Sequence, residues 1–192
     1  MSVTAGTRQG DPDPNHQVAP EHTVQQVQGR PLMRVHLPAV TTPDVLNHSR
    51  VAIPADAPVL GVVVGSESRA YLLEALAMVQ EHVINDVVGG EPVTVTYCNL
   101  SGCSRVLTTN NTHTSSEQPA DPLAVSVAGL FDVGTLEATM AVELDSKVYA
   151  QDSPELPLRN YPHLRTTWGE WLTAHPDTVV FIGQMRRFRR QP

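Results

Sequence analysis

Cysteine is almost missing from this chain: two residues in 192. A disulfide-built scaffold needs several pairs, so that class is excluded. No apolar run approaches the roughly 18 residues that a membrane helix requires. Aromatic residues are scarce and none precedes Tyr71, which places the expected core between residues 59 and 183. The opening MSVTAGTRQGDPDP lacks the basic start and apolar centre of a secretory signal. The chain as given is therefore expected in the cytoplasm, or exported if a leader precedes it. Gly-rich phosphate loops, His-Glu-x-x-His and Gly-x-Ser-x-Gly are missing too. No reaction class follows from a motif, and enzymatic activity stays open. Basic residues are outnumbered by acidic ones, 13 to 20, which argues against nucleic acid as a partner.

What is present centres on residues 86–108, DVVGGEPVTVTYCNLSGCSRVLT. Val93, Val95 and Tyr97 alternate with Thr94, Thr96 and Cys98, the period-two pattern of a half-buried strand. Gly89-Gly90 supplies positive φ for a hairpin turn, with residues 84–88 as the preceding strand. Asn99-Leu100-Ser101-Gly102 has turn chemistry, and 103–108 reads as the returning strand. That register sets Cys98 opposite Cys103, at the Cα separation of about 4.5–5.5 Å found for opposed residues. A disulfide fits within this range. Arg105 lies two residues from Cys103 on the same face, where a guanidinium favours a thiolate. Three readings stay open: two inert small thiols, a redox pair, or part of a metal site.

The rest of the chain surrounds this hairpin. Residues 1–30 are rich in Pro, Gln, Gly, Asp and Thr, without periodicity, and read as a disordered arm. Residues 31–58 form an extended segment whose apolar patches are broken by Pro38, Pro43 and Pro54. Residues 59–183 read as a single domain. Its expected elements are strands at 59–64 and 69–72, a helix at 73–79, the central hairpin, and strands at 123–131, 135–144 and 147–151. Residues 110–122 read as a polar loop. Thr167 and Glu170 form a capping-box pair, followed by Trp168, Trp171, Leu172 and His175 on one helical face. Pro176 ends that helix, His175 sits at its edge, and 178–183 closes the domain. Residues 184–192 form a basic tail with Arg186, Arg187, Arg189 and Arg190. The expected class is α+β, mostly antiparallel β, with one short helix after the second strand and one capped helix near the C-terminus.

Two long blocks carry a family resemblance. They are Arg69-Ala70-Tyr71 with 82–98, HVINDVVGGEPVTVTYC, and Thr166-Thr167-Trp168-Gly169-Glu170-Trp171 with His175-Pro176-Asp177-Thr178. Over about 59–182 the chain resembles a prokaryotic family, domain of unknown function 3179. The resemblance implies a single α+β domain and brings no established activity. The chain departs from the commoner family pattern twice. Ser101 stands where many members have the second cysteine of Cys-x-x-Cys, and Cys103 makes Cys-x4-Cys instead. Gln80-Glu81-His82 stands where many have Trp-His-Glu, shifting the histidine by one position.

Two functional readings follow. One is a small thiol-based redox or soft-metal protein built on Cys98 and Cys103, with His82 as a further copper or zinc ligand and Tyr97, Asn85, Asp86 and Arg105 supporting. Three ligands fall one short of the usual structural zinc set. The other is a non-catalytic ligand- or protein-binding module. Neither names a substrate, a partner or an oligomeric state.

Overall fold

A computed structural model of the chain describes residues 30–109, 120–132 and 138–190. The arm expected at 1–30 and the loop expected at 110–122 fall largely outside these residues. In chain order come β1 (Arg30–Leu37), β2 (Val40–Thr41), β3 (Val45–Asn47), β4 (Pro58–Val64) and β5 (Glu67–Leu72). Then follow α1 (Leu73–Leu76), β6 (Val83–Val88), β7 (Glu91–Tyr97) and β8 (Ser104–Thr108). After these come β9 (Ser126–Asp132), β10 (Ala138–Leu144), β11 (Lys147–Ala150) and β12 (Arg159–Asn160). The last are β13 (Leu164–Thr167), α2 (Trp168–Ala174) and β14 (Val179–Phe181).

These strands make three sheets, ordered β1-β9-β10-β11, β12-β8-β7-β6-β2 and β13-β4-β5-β14-β3. The expected α+β class is corrected here: the described residues form a mostly β protein. An α layer needs helices long enough to cover a sheet. α1 has four residues and α2 seven, so sheets cover each other instead. The helix expected at 73–79 stops at Leu76, and a 3-10 turn follows at Val79–Glu81. Two pairings, β2 with β6 and β14 with β5, are parallel.

The β12-β8-β7-β6-β2 sheet is the middle layer. Ile84, Val88, Val93, Val95 and Val106 pack with Leu60, Val62, Tyr71, Leu76 and Val180 on one side. Val83, Cys98 and Leu107 pack with Val127, Met140, Val142 and Leu144 of the β1 sheet on the other. The alternation in β7 predicts one wet face, yet Thr94 and Thr96 are fully buried. Sheet-on-sheet packing covers the polar face, and its hydroxyls are satisfied internally: Thr94 donates to Asn85 Oδ1 at 2.7 Å, and Thr96 accepts from Gln151 Nε2 at 2.8 Å.

The segments flanking 59–183 are built into the same fold. β1, β2 and β3 each add an edge strand to a different sheet, and Leu46, Val51 and Ile53 lie in the core. At the other end Phe188 is buried. Arg189 pairs with Asp44 at 2.7 Å, and Arg187 pairs with Glu74. An isolated bridge joins Val51 to Arg189.

Candidate functional site

The central hairpin has Ile84 opposite Val95 and Tyr97 opposite Ser104. Beyond the last pair, the Cys98 N–H donates to the Cys103 carbonyl at 2.9 Å. Both cysteines are free thiols. Cys98 is buried among the apolar residues between the middle sheet and the β1 sheet, while Cys103 is half-buried. Burial pushes the Cys103 thiol up, the Asp152 carboxylate adds to this, and Arg105 opposes it. Arg105 is committed elsewhere: it donates to the Gln151 carbonyl at 2.5 Å and to Asn160 Oδ1 at 2.9 Å. Gln151, fully buried, also donates to the Cys103 carbonyl at 3.3 Å. Its own Oε1 has no partner among the described residues.

His82 is not part of this cluster. It sits just before β6, and its Nδ1 donates to the Leu76 carbonyl at 2.7 Å. A carbonyl can only accept, which fixes the proton on Nδ1. The ring thus ties β6 to the end of α1. Among the described residues, no three His, Cys, Asp or Glu side chains are placed to hold a metal ion. The two cysteines alone fall short of a four-ligand structural site.

Asn85 and Asp86 point to opposite faces of β6, as neighbours on a strand must. Asp86 faces β5, where it accepts from Arg69 at 2.5 Å and from Tyr71 at 2.7 Å. Burial pushes the Tyr71 phenol well up, and the Asp86 charge adds to this. This buried triad ties the middle sheet to the β4 sheet. Asn85 faces the β1 sheet, and its Nδ2 donates to the Val125 carbonyl at 2.8 Å. Tyr97 lies under the Arg165 guanidinium, 6.0 Å from its ring centre.

The α2 residues are structural in their contacts. Thr167 and Glu170 form the reciprocal capping box. Trp168 and Trp171 are buried, and Trp171 Nε1 donates to Thr178 at 3.0 Å. A Cβ on Gly61 would fall 2.1 Å from the Trp171 ring. Glycine is therefore required in β4 where the indole crosses it. The His175 ring lies 4.1 Å from the Trp171 ring.

A cleft that the motifs do not announce opens between the β1 sheet and the middle sheet. Its volume is about 410 Å³, and its polar lining includes His36, Thr41, Asn85, Glu143, Asp145 and Ser146. A second opening of about 250 Å³ shares His36 and Glu143 and adds Arg34. His36 Nδ1 lies 3.9 Å from Glu143 Oε2. Asp145 and Ser146, the turn between β10 and β11, hold φ of 51° and 62°. Tight hairpin turns of this sort favour glycine, asparagine or aspartate, so Asp145 suits its place and Ser146 stands at the rim at a cost in backbone strain. The sequence signals a turn here but not a cleft, because β1 and β10, far apart in the chain, come into one sheet only by each pairing with β9. No curated protein and no solved structure matches this chain. The family described as a protein of unknown function, DUF3179, matches residues 34–192, and the chain belongs to it.

Proposed function

We propose that the protein is a binding module whose ligand site is the cleft between the β1 sheet and the middle sheet. The observation that supports this is the composition of the cleft. Glu143 and Asp145 supply carboxylates, His36 an imidazole, Asn85 an amide, Thr41 and Ser146 hydroxyls, and among the described residues no Lys or Arg lines the larger opening. Such a set suits a small amine or polyhydroxy ligand, since each of these six side chains can accept a hydrogen bond and two carry negative charge. Asn85 is already anchored on both sides, to Val125 and Thr94, so its position is set before a ligand arrives. The test is an NMR titration of the full chain with two fragment sets, small primary amines and small polyols. Shift changes should localise to His36, Asn85, Glu143 and the Asp145-Ser146 turn, and Glu143→Gln should weaken the amines more than the polyols. Scattered shifts, or none with either set, would remove the reading.

A second reading, a thiol-based redox protein, is favoured by one observation: two free cysteines paired across the mouth of the central hairpin. Its test is a count of reactive thiols before and after mild oxidation. A soft-metal role for the same pair would need ligands beyond Cys98 and Cys103, because His82 is engaged by Leu76. Metal analysis of the protein purified without reductant checks it.

A further inference from the structure

Resting on the second reading, we infer that Cys98 and Cys103 form an ordered dithiol that passes two electrons to small disulfides by thiol–disulfide exchange. In it Cys103 attacks first and Cys98 resolves. The geometry assigns the order. Cys103 is half-buried at the end of the Asn99–Gly102 loop, whereas Cys98 is 2% exposed. A disulfide as large as a peptide dimer reaches the first thiol and not the second. The pairing makes the second step local. Cys98 stands opposite Cys103 with a backbone bond of 2.9 Å between them, and opposed residues have Cα atoms about 4.5–5.5 Å apart, which a disulfide spans.

The chemistry balances with a small disulfide, RSSR, as oxidant. The Cys103 thiolate attacks one sulfur, the S–S bond breaks, and one RS⁻ leaves and takes a proton from water. Cys98 then gives up its proton and attacks the Cys103 sulfur of the mixed disulfide. The second RS⁻ leaves and is protonated. Two thiols have been oxidised to one protein disulfide and RSSR reduced to two RSH. Burial and Asp152 hold the Cys103 thiol up, so the first step is slow at neutral pH and accelerates as pH rises. Asp152 is exposed, so it is removable without disturbing the core.

The experiment uses the full chain with oxidised glutathione as probe, read by mass spectrometry after acid quench. The wild type should lose both free thiols and become lighter by two hydrogens, with no adduct remaining. Cys98→Ser should accumulate a glutathione adduct on Cys103, and Cys103→Ser should react about tenfold more slowly or less. Asp152→Asn in the Cys98→Ser background should speed adduct formation. Pulse alkylation of the unmodified wild type gives the order without relying on variants: Cys103 should label before Cys98. A wild type that keeps both thiols overturns the ordered dithiol and the redox reading together. A wild type that closes while Cys98 labels as fast as Cys103 overturns the order and leaves the redox reading standing.

Discussion

The Tyr71 hydroxyl donates to Asp86 Oδ2 at 2.7 Å, and the two residues belong to different sheets. Asp86 Oδ1 accepts from Arg69 as well, at 2.5 Å. Asp86→Ala would strand a guanidinium whose side chain is 13% exposed. Breaking a buried pair in this way costs about 3–5 kcal/mol. Tyr71→Phe removes one charge-assisted bond and should cost about 1.5–3 kcal/mol. Urea unfolding measures both. Equal, small losses would show that the β4 sheet and the middle sheet do not depend on this contact.

The second expectation concerns α2. Trp171→Ala should cost about 3–5 kcal/mol, the usual range for a large buried truncation. Thr167→Ala should cost about 1 kcal/mol through the lost cap. Gly61→Ala should be nearly as damaging as the tryptophan change, because its methyl enters the indole. A tolerated Gly61→Ala would mean that α2 docks elsewhere.

The rim turn offers a trade between stability and binding. Ser146→Gly relieves a positive φ of 62° and should raise stability by about 1 kcal/mol. The same change removes a hydroxyl from the cleft, so amine or polyol binding should weaken. Thermal unfolding and the NMR titration read the two effects on one variant. A variant that is less stable would show that the Ser146 side chain holds the turn.

Glu81 should shape the pH dependence. Its carboxyl is buried, Oε1 accepts from the Gln184 N–H at 3.0 Å, and Oε2 has no partner among the described residues. Burial raises its pKa from the ordinary value, and the Gln184 bond opposes the rise. A raised folded-state pKa means that the folded protein holds this proton more tightly than the unfolded chain does. The resulting stability is fully present below the unfolded-state pKa and is lost as pH rises through the folded one. Glu170 acts in the opposite sense, since hydrogen bonds from Thr166 and Thr167 lower its pKa. Its contribution is present above the unfolded value and lost as pH falls. Glu81→Gln should therefore flatten the decline above pH ~4.5, measured as the urea midpoint from acid to neutral pH. An unchanged profile would place the titration elsewhere.

Closing the Cys98–Cys103 ring should stabilise the fold little. A link across so short a loop removes little unfolded-state entropy. Cys98→Ser/Cys103→Ser should fold with modest loss, mostly from placing a hydroxyl at buried Cys98. A collapse of the fold would show that the pair is needed for packing.

The central hairpin was legible in the residues themselves. Gly89-Gly90 can hold positive φ, β-branched residues alternate beside it, and two strands joined by a short turn have few registers available. The opposition of Cys98 and Cys103 follows from that register, and the Thr167–Glu170 cap from spacing alone. These are local relationships, decided within about ten residues. The family match to 34–192 reaches beyond the 59–182 span of the resembling blocks and takes in the short edge strands β2 and β3, which the neighbouring prolines mask in the sequence. They are strands only through their partners in other parts of the chain.

Layering was decided by tertiary structure. Alternation in β7 states that its two faces differ, but not that both are covered. The covering sheet comes from residues some 30 to 50 positions later and from β1. That packing buried Thr94 and Thr96, gave Asn85 the Val125 carbonyl and Asp86 the Arg69 guanidinium as partners, and brought Gln151 to the Cys103 carbonyl. It also left the His82 ring engaged by the Leu76 carbonyl at the end of α1. The cleft arises from the same cause. Thr41, Asn85 and Glu143 belong to three different strands in two sheets, and only the contact between those sheets puts their side chains around one space.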